Sequence, residues 1–366
     1  MQSLYWNSAI RIRPPSLLTN QKWQAENYDS GKSFSVPELA VAILLYCYVP
    51  RDQNAVIAEF SKLNDYPATT INAFLNNLLE KKLLLNTLFE KNQSESKPKL
   101  LLRDYLQWKK YNWSSSAEYH FFTYNYQFLD YSEGGEGWKL ADKRMKDYSE
   151  KEPDTNRIKQ YPNEFRRVNV PTFHDISTNL ESYIGISNQN SVDLNKLISI
   201  SAFAFAKTNG APIRWKGVPL IRRTSPSGGS RHPTEGYIII TGNFVNFNSG
   251  LYHIQSDPFA LVQLTSELPV HLEYIFPELY EEIPQPNAIL ILTSVFGRNM
   301  FRYREPRTFR TIHMDVGHIL GTIELISEHV GLKSKTSYYF DENSIEKALN
   351  IDGISEGAIA CIGLFK

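Results

Sequence analysis

The chain has 366 residues, more than one domain of average size. Its 39 lysines and arginines cancel its 39 aspartates and glutamates, so no global field draws nucleic acid or an anionic membrane to it. Apolar residues at 42% and charged residues at 21% exclude a mostly disordered chain, and the longest apolar run, Val41 to Val49, is too short to cross a bilayer.

The N-terminus, MQSLYWNSAIRIRPP, has neither the apolar core nor the small-residue cleavage site of a secretory signal. Cys47 and Cys361 lie far apart in apolar surroundings and read as buried free thiols. These features predict a soluble, cytoplasmic protein.

Ser35-Val-Pro-Glu38 has the spacing of a capping box with proline in the first turn, ahead of the apolar run to Val49. A second short helix is expected over 54–63. A third is expected from Thr69 or Thr70, where Ile71, Phe74, Leu75, Leu78 and Leu79 recur with helical period. Lys81 to Leu85 reads as a helix end running into a strand. Three short helices and a strand describe a winged-helix-like module, placed within residues 1–95. The third helix carries Asn72, Asn76, Asn77 and Glu80 rather than a lysine stripe. That speaks against DNA, and for a peptide- or protein-docking module or a structural extension.

Residues 91–99, KNQSESKPK, read as a polar linker. The aromatic stretch that follows, from Tyr105 and Trp108 through Tyr119 to Tyr131, shows no clean period. It reads as packing between domains or as the wall of a cleft. Gly134-Gly135-Glu136-Gly137 breaks the chain, and 142–162 is charged and loop-like. A connecting region is therefore placed at 96–160 and a third segment at 161–366.

That segment reads as α/β, with helix and strand alternating. Asp193 can cap a helix carrying Leu194, Leu197, Ile198, Ala202 and Phe205. Strands are expected at 237–240, 250–254, 288–295 and 358–365, with a long helix from His313 to Val330 stopped by Gly331.

The sequence has no HExxH, CxxC, GxSxG or P-loop motif, and no glycine fingerprint of a dinucleotide fold. His313 and His318 are five apart, on different helix faces, so they do not form a metal pair. The most informative stretch is 222–237, RRTSPSGGSRHPTEGY. Two glycines beside serines allow close approach of backbone amides to a ligand, and Arg222, Arg223 and Arg231 add positive charge. These residues describe an anion- or cofactor-binding loop, or else an ordinary Gly-Ser turn.

This loop resembles the flavin loop of the nitroreductase superfamily, in particular its SagB-type dehydrogenase branch, with Pro226, Ser227, Gly228, Gly229, Pro233, Glu235 and Tyr237 matching in order. Gly250-Leu-Tyr-His253 resembles the strand after that loop. Ser294-Val-Phe-Gly-Arg298 through Phe309-Arg310, then Met314-Asp-Val-Gly-His318, resembles the branch's helix entry. The resemblance covers about 198–365, and the aromatic Tyr119 to Tyr131 region looks like the branch's peptide-maturation dehydrogenases.

The resemblance implies an α+β, nitroreductase-like FMN-binding fold, homodimeric, with FMN at the subunit interface. It implies oxidation of thiazoline or oxazoline rings in a ribosomal precursor peptide, with oxygen as the terminal oxidant, a cyclodehydratase as partner enzyme, and the N-terminal module holding a leader peptide. Arg222, Arg223, Ser225, Pro226, Ser227, Gly228 and Gly229 would bind the cofactor. Arg166-Arg167 only partly echoes the branch's phosphate-binding motif, and Lys366 is a further phosphate contact. The branch's Lys-Tyr pair aligns with Arg302-Tyr303. Arginine stays protonated, so Tyr303 is left as the candidate base, with Arg302 stabilising a tyrosinate or orienting substrate. The alternatives are reduction of dehydroamino acids or nitro compounds with NAD(P)H, and a flavin-free scaffold that binds peptide.

Overall fold

The computed structural model describes residues 3–7, 10–13, 22–27, 31–64, 66–86, 107–108, 110–123, 129–152, 158–163, 165–168, 170–184, 193–208, 213–215, 218–242, 248–282 and 285–366. The chain divides into two compact units, Met1–Phe128 and Leu129–Lys366.

The first unit opens with strands β1 (Ser3–Trp6), β2 (Ile10–Arg13), β3 (Trp23–Asn27) and β4 (Lys32–Val36). Helix α1 (Glu38–Tyr46), β5 (Arg51–Asp52), α2 (Gln53–Asn64), α3 (Ala68–Glu80), β6 (Leu84–Asn86) and α4 (Ser114–Thr123) follow. Two three-stranded antiparallel sheets form, ordered β5-β1-β6 and β2-β3-β4. The three predicted helices bury Ile43, Leu44, Val56, Phe60, Ile71 and Leu75 in one core with Leu4 and Ala25. Each large apolar side chain there contributes about 1.5–3 kcal/mol.

The capping box at Ser35 does not form. Ser35 is held in β4 opposite Gln24, and α1 starts after Pro37 with no side-chain cap. Within the aromatic stretch, Trp108 stacks on His120 at 5.4 Å and meets Trp113 edge-on at 5.8 Å. The polar linker 91–99, and Tyr105, Tyr124, Tyr126 and Phe128, lie outside the described residues.

The second unit begins with α5 (Gly137–Lys151), β7 (Arg167–Val168), α6 (Phe173–Thr178), α7 (Leu180–Ile184) and α8 (Leu194–Phe205). The hairpin β8 (Ile213–Trp215) and β9 (Val218–Leu220) precedes β10 (Thr234–Ile240), β11 (Gly250–Ser256) and β12 (Phe259–Thr265). Then come α9 (Leu272–Ile275), α10 (Pro277–Glu282), β13 (Ala288–Val295), α11 (Phe296–Arg302), α12 (Thr308–His329), β14 (Lys333–Ser337), α13 (Glu342–Leu349) and β15 (Glu356–Phe365).

Seven strands form one sheet, ordered β14-β15-β13-β10-β11-β12-β7, and every neighbouring pair is antiparallel. The fold is therefore α+β, although alternating helix and strand patterns suggest parallel units. β10 and β13 are buried on both faces, which gives the continuous apolar runs usual for parallel strands. The two-residue connection Asp257-Pro258 admits only an antiparallel pair.

Helices cover both faces. On one, Leu197, Phe205, Ile319 and Ile323 pack against Ile238, Leu290 and Ile362. On the other, Phe276, Leu279, Ile345 and Leu349 pack against Tyr237, Ile239 and Ile291. Asp193 caps α8 by accepting from Lys196 N at 3.0 Å, as expected. α12 begins earlier than expected, at Thr308, and Gly331 past its end takes φ +74°.

The first part of the expected loop over 142–162, residues 142–151, is helix and belongs to α5. Its polar sequence hides the period because only Gly137 and Met145 are buried, the latter against Phe301. The glycine run before it is a turn wrapped on Asp130: a Cβ at Gly135 or Gly137 would lie 2.5 or 2.3 Å from Asp130 O. No helix of the described residues is long and apolar enough to cross a membrane. Both cysteines are free and buried, and burial pushes the thiols up to about 11 for Cys47 and about 12 for Cys361.

Candidate cofactor site

The glycine loop leads directly into β10, in the middle of the sheet, and α12 holds it from one side. Ser227 Oγ donates to Asp315 Oδ2 at 2.7 Å, and Gly228 N donates to Asp315 Oδ1 at 3.1 Å. Ser227 Oγ also accepts from His232 N at 2.9 Å. His318 Nδ1 donates to Pro226 O at 3.2 Å, and Ser225 Oγ lies 2.7 Å from Thr322 Oγ1. Asp315, His318 and Thr322 are spaced i, i+3 and i+7, so one helix face pins residues 225–228.

The glycines are required by the chain's own side chains. A Cβ at Gly228 would lie 2.4 Å from Thr311 Cγ2. At Gly229, φ +61°, a Cβ would lie 2.3 Å from Tyr303 Oη and 2.7 Å from Arg302 Nη1. Arg302 Nη1 donates to Gly229 O at 3.2 Å. The loop and the Arg302-Tyr303 pair thus meet, although 73 residues separate them.

Segments 222–231 and 298–310 carry eight arginines against one acidic residue, Glu305. Arg231 Nε donates to Arg298 O at 2.7 Å, which joins the two segments, and the Arg231 guanidinium lies 5.0 Å from the Phe301 ring centre. Arg298 is buried, donates to His232 O at 2.9 Å and pairs with Glu235, which also lies 2.9 Å from His253 Nε2. Burial pushes the Glu235 carboxyl up. Arg298, the His253 hydrogen bond and Arg223 outweigh that and hold it well below the usual carboxylate range.

Arg223 is buried, and its Nη1 donates to Thr234 O at 3.1 Å. Its Nε and Nη2 have no hydrogen-bond partner among the described residues. Burial lowers its pKa to about 10, so it remains a cation at neutral pH with two unused donors. Its charge, with the exposed Arg222 beside it, fits a phosphorylated, anionic cofactor.

Tyr303 is half-buried. Burial raises its phenol above the ordinary value by more than the Arg302 charge lowers it, so Tyr303 is protonated at neutral pH. The help that a tyrosine base would draw from Arg302 is the smaller of the two effects.

Arg222, at the start of the loop, has an exposed side chain. The other cationic residues singled out in the sequence lie apart from the loop within one chain, and the Arg166 side chain is exposed. Arg167 donates to the carbonyls of Tyr161, Pro162 and Phe165, just ahead of β7. Lys366 follows the far end of β15. Gly357, at the near end, is opposite Ser294, which pairs with Thr234 beside the loop. At ~3.3 Å per residue, Lys366 is roughly 30 Å away.

Two features escaped the sequence. A cavity of about 680 Å³ is bordered by Asn299, Phe301, Tyr303, Phe309 and Ile312, and at its edge Arg304 pairs with Glu152 at 2.9 Å. On the sheet, Lys159 Nζ lies 2.6 Å from both Tyr237 Oη and Glu356 Oε2, and Thr293 Oγ1 donates to Glu356 Oε1 at 2.6 Å. Glu235 and Tyr237, two apart in an apolar strand, were the available signal for a buried polar end of the sheet.

The second unit is thus an α+β protein whose antiparallel sheet carries an arginine-rich glycine loop pinned to a long helix. No family model matches the chain. It is 29% identical over 174 residues to the trifolitoxin-processing protein TfxB of Rhizobium leguminosarum bv. trifolii, over 47% of this chain and 46% of that protein. It is 26% identical over 129 residues to the Methanocaldococcus jannaschii protein named "Putative nitroreductase MJ1384", over 35% of this chain and 64% of that protein. The matches thus span less than two thirds of either relative. A solved structure that it resembles is a chain of the E. coli microcin synthetase McbBCD complex with truncated pro-MccB17 bound. Identity there is 19%, the TM-score is 0.41, and the match covers 60% of this chain and 80% of that one. The chain resembles the nitroreductase superfamily and its SagB-type, peptide-maturation branch, as the loop and helix motifs indicated.

Proposed function

We propose that the chain is an FMN-dependent oxidoreductase of ribosomal peptide maturation that oxidises thiazoline or oxazoline rings to azoles. The observation that carries this reading is the meeting of Arg302 and Tyr303 with Gly229 of the arginine-rich loop. Bound FMN would supply the two-electron acceptor. Arg222 would hold the phosphate or another anionic edge, with the buried Arg223 charge behind it. Ser227 and Asp315 keep the loop in shape for that task, and Arg302 orients substrate beside Tyr303. Tyr303 is the group that moves the ring proton. Burial opposes its ionisation and Arg302 favours it.

Three helices beside the β5-β1-β6 sheet are consistent with a winged-helix-like module that would dock a leader peptide and bring a cyclodehydratase close. Arg166, Arg167 and Lys366 sit away from the loop of their own chain. They suit a homodimer in which they serve a second copy.

A second reading is favoured by Arg302 itself. With no lysine in the pair, the same site suits reduction of a dehydroamino acid with NAD(P)H. Incubation with FMN and a synthetic thiazoline peptide, followed by mass spectrometry, decides between them. Loss of two hydrogens from the peptide is expected. NAD(P)H oxidation coupled to saturation of a dehydroalanine peptide, with the thiazoline untouched, selects the second reading.

A further inference from the structure

The cavity of about 680 Å³ has the size of a small-ligand pocket, which usually holds roughly 300–1,000 Å³. Its apolar lining is Met300, Phe301, Pro306, Phe309 and Ile312. Met300 is 59% exposed and Phe309 46%, so the cavity opens to solvent. Large apolar side chains left open around a concave site gain by meeting an apolar partner.

The charged groups of the lining are already engaged. Arg298 pairs with the buried Glu235. Arg304 pairs with Glu152 at 2.9 Å, and its guanidinium lies 3.9 Å from the Tyr148 ring centre. Glu305 Oε1 accepts from Thr308 Oγ1 at 2.6 Å. A phosphate or carboxylate would have to compete for these pairs, and a neutral apolar group would not.

Tyr303 connects this cavity to the loop. It borders the cavity, and its Oη lies so near Gly229 that a Cβ there would be only 2.3 Å away. A ring held at that phenol therefore has the cavity beside it, where the next part of the same molecule must go.

We propose that the cavity receives a large apolar side chain, aromatic or aliphatic, from the residue next to the reacting ring of the peptide. This inference rests on the peptide-oxidising reading above and gives it a side-chain preference. Phe309 and Met300 are specificity-determining residues in that role, and the Arg304-Glu152 pair closes one edge without offering an unpaired charge.

The test uses the full chain as wild type, Phe309→Ala and Met300→Ala, with urea unfolding to check that the variants fold. Labelled peptides with a finished thiazole, which cannot be oxidised further, are titrated by fluorescence anisotropy. Each carries Phe, Leu, Ala or Asp on one side of the ring or the other. The thiazoline forms of the same peptides, with FMN, give kcat/KM.

At one flank, Phe and Leu should bind roughly 10- to 200-fold more tightly than Ala or Asp, the discrimination an apolar pocket provides. Phe309→Ala should reduce that preference about tenfold and leave the Ala peptide unchanged, with a smaller loss in Met300→Ala. Equal affinity for all four residues at both flanks, a preference that both variants keep, or no peptide binding at all overturns the proposal. A wild-type dimer that Phe309→Ala dissociates in sedimentation, with peptide preference unchanged, gives this wall to a second copy and also overturns it. Turnover reports separately on the underlying reading. Thiazoline peptides that bind with the preference but are never oxidised defeat azoline oxidation and leave the cavity's assignment standing.

Discussion

Asp315 on α12 accepts hydrogen bonds from Ser227 Oγ and from Gly228 N, so the anion gripped by the glycine loop is the chain's own carboxylate. Burial raises the Asp315 pKa by more than those two bonds and His318 lower it. A raised folded pKa adds stability while the group is protonated, and that stability is lost as pH rises through the folded pKa. Asp315→Asn removes this titration. In urea unfolding, the variant should gain on wild type as pH rises above about 4. A gap that stays constant with pH would contradict the assignment.

The glycine pair separates two kinds of constraint. Gly228→Ala should destabilise by about 1–3 kcal/mol through Thr311 Cγ2, and Thr311→Ser should restore most of it by removing that methyl. Gly229→Ala combines a left-handed backbone with two close side chains, and no single partner change should rescue it. Thermal unfolding of the two single variants and the Gly228→Ala/Thr311→Ser double variant reads both outcomes.

Glu235 is the buried counter-charge of Arg298 and Arg223. Glu235→Gln should lower stability by about 3–5 kcal/mol, because it leaves buried cations uncompensated. Its pKa is depressed, so its stabilisation is present above the unfolded carboxylate value and is lost only as pH falls through the depressed one. The wild-type advantage over Glu235→Gln should therefore be flat across neutral pH. An advantage that vanishes at neutral pH would show that the ion pair does not stabilise the fold.

Tyr303 as proton acceptor must ionise, and its phenol pKa is raised. The wild-type kcat should climb with pH and level off only above about pH 10. Tyr303→Phe should lose turnover and that climb while keeping its flavin. A pH-independent kcat in the wild type would assign the proton to another group.

Local patterns made much of this legible. The Asp193 cap, the period of α12 and the order of Pro226, Gly228, Gly229 and Glu235 are all short-range signals. What escaped depends on distant pairing. Ser35 left its capping role because β3 recruits it into a strand. α5 was hidden because only its Gly137 and Met145 are buried. Lys159 and Glu356 meet across 197 residues, and nothing near either residue announces the other.

The proposed flavin would lie between the arginine-rich loop and the Arg302-Tyr303 pair. The most direct measurement is the absorption spectrum of the purified chain, followed by chromatography of heat-released cofactor. A band near roughly 450 nm and FMN in stoichiometric amount are expected, as two-electron flavin chemistry requires. A colourless protein that cannot be reconstituted with FMN would contradict the flavin reading and leave peptide binding as the site's role.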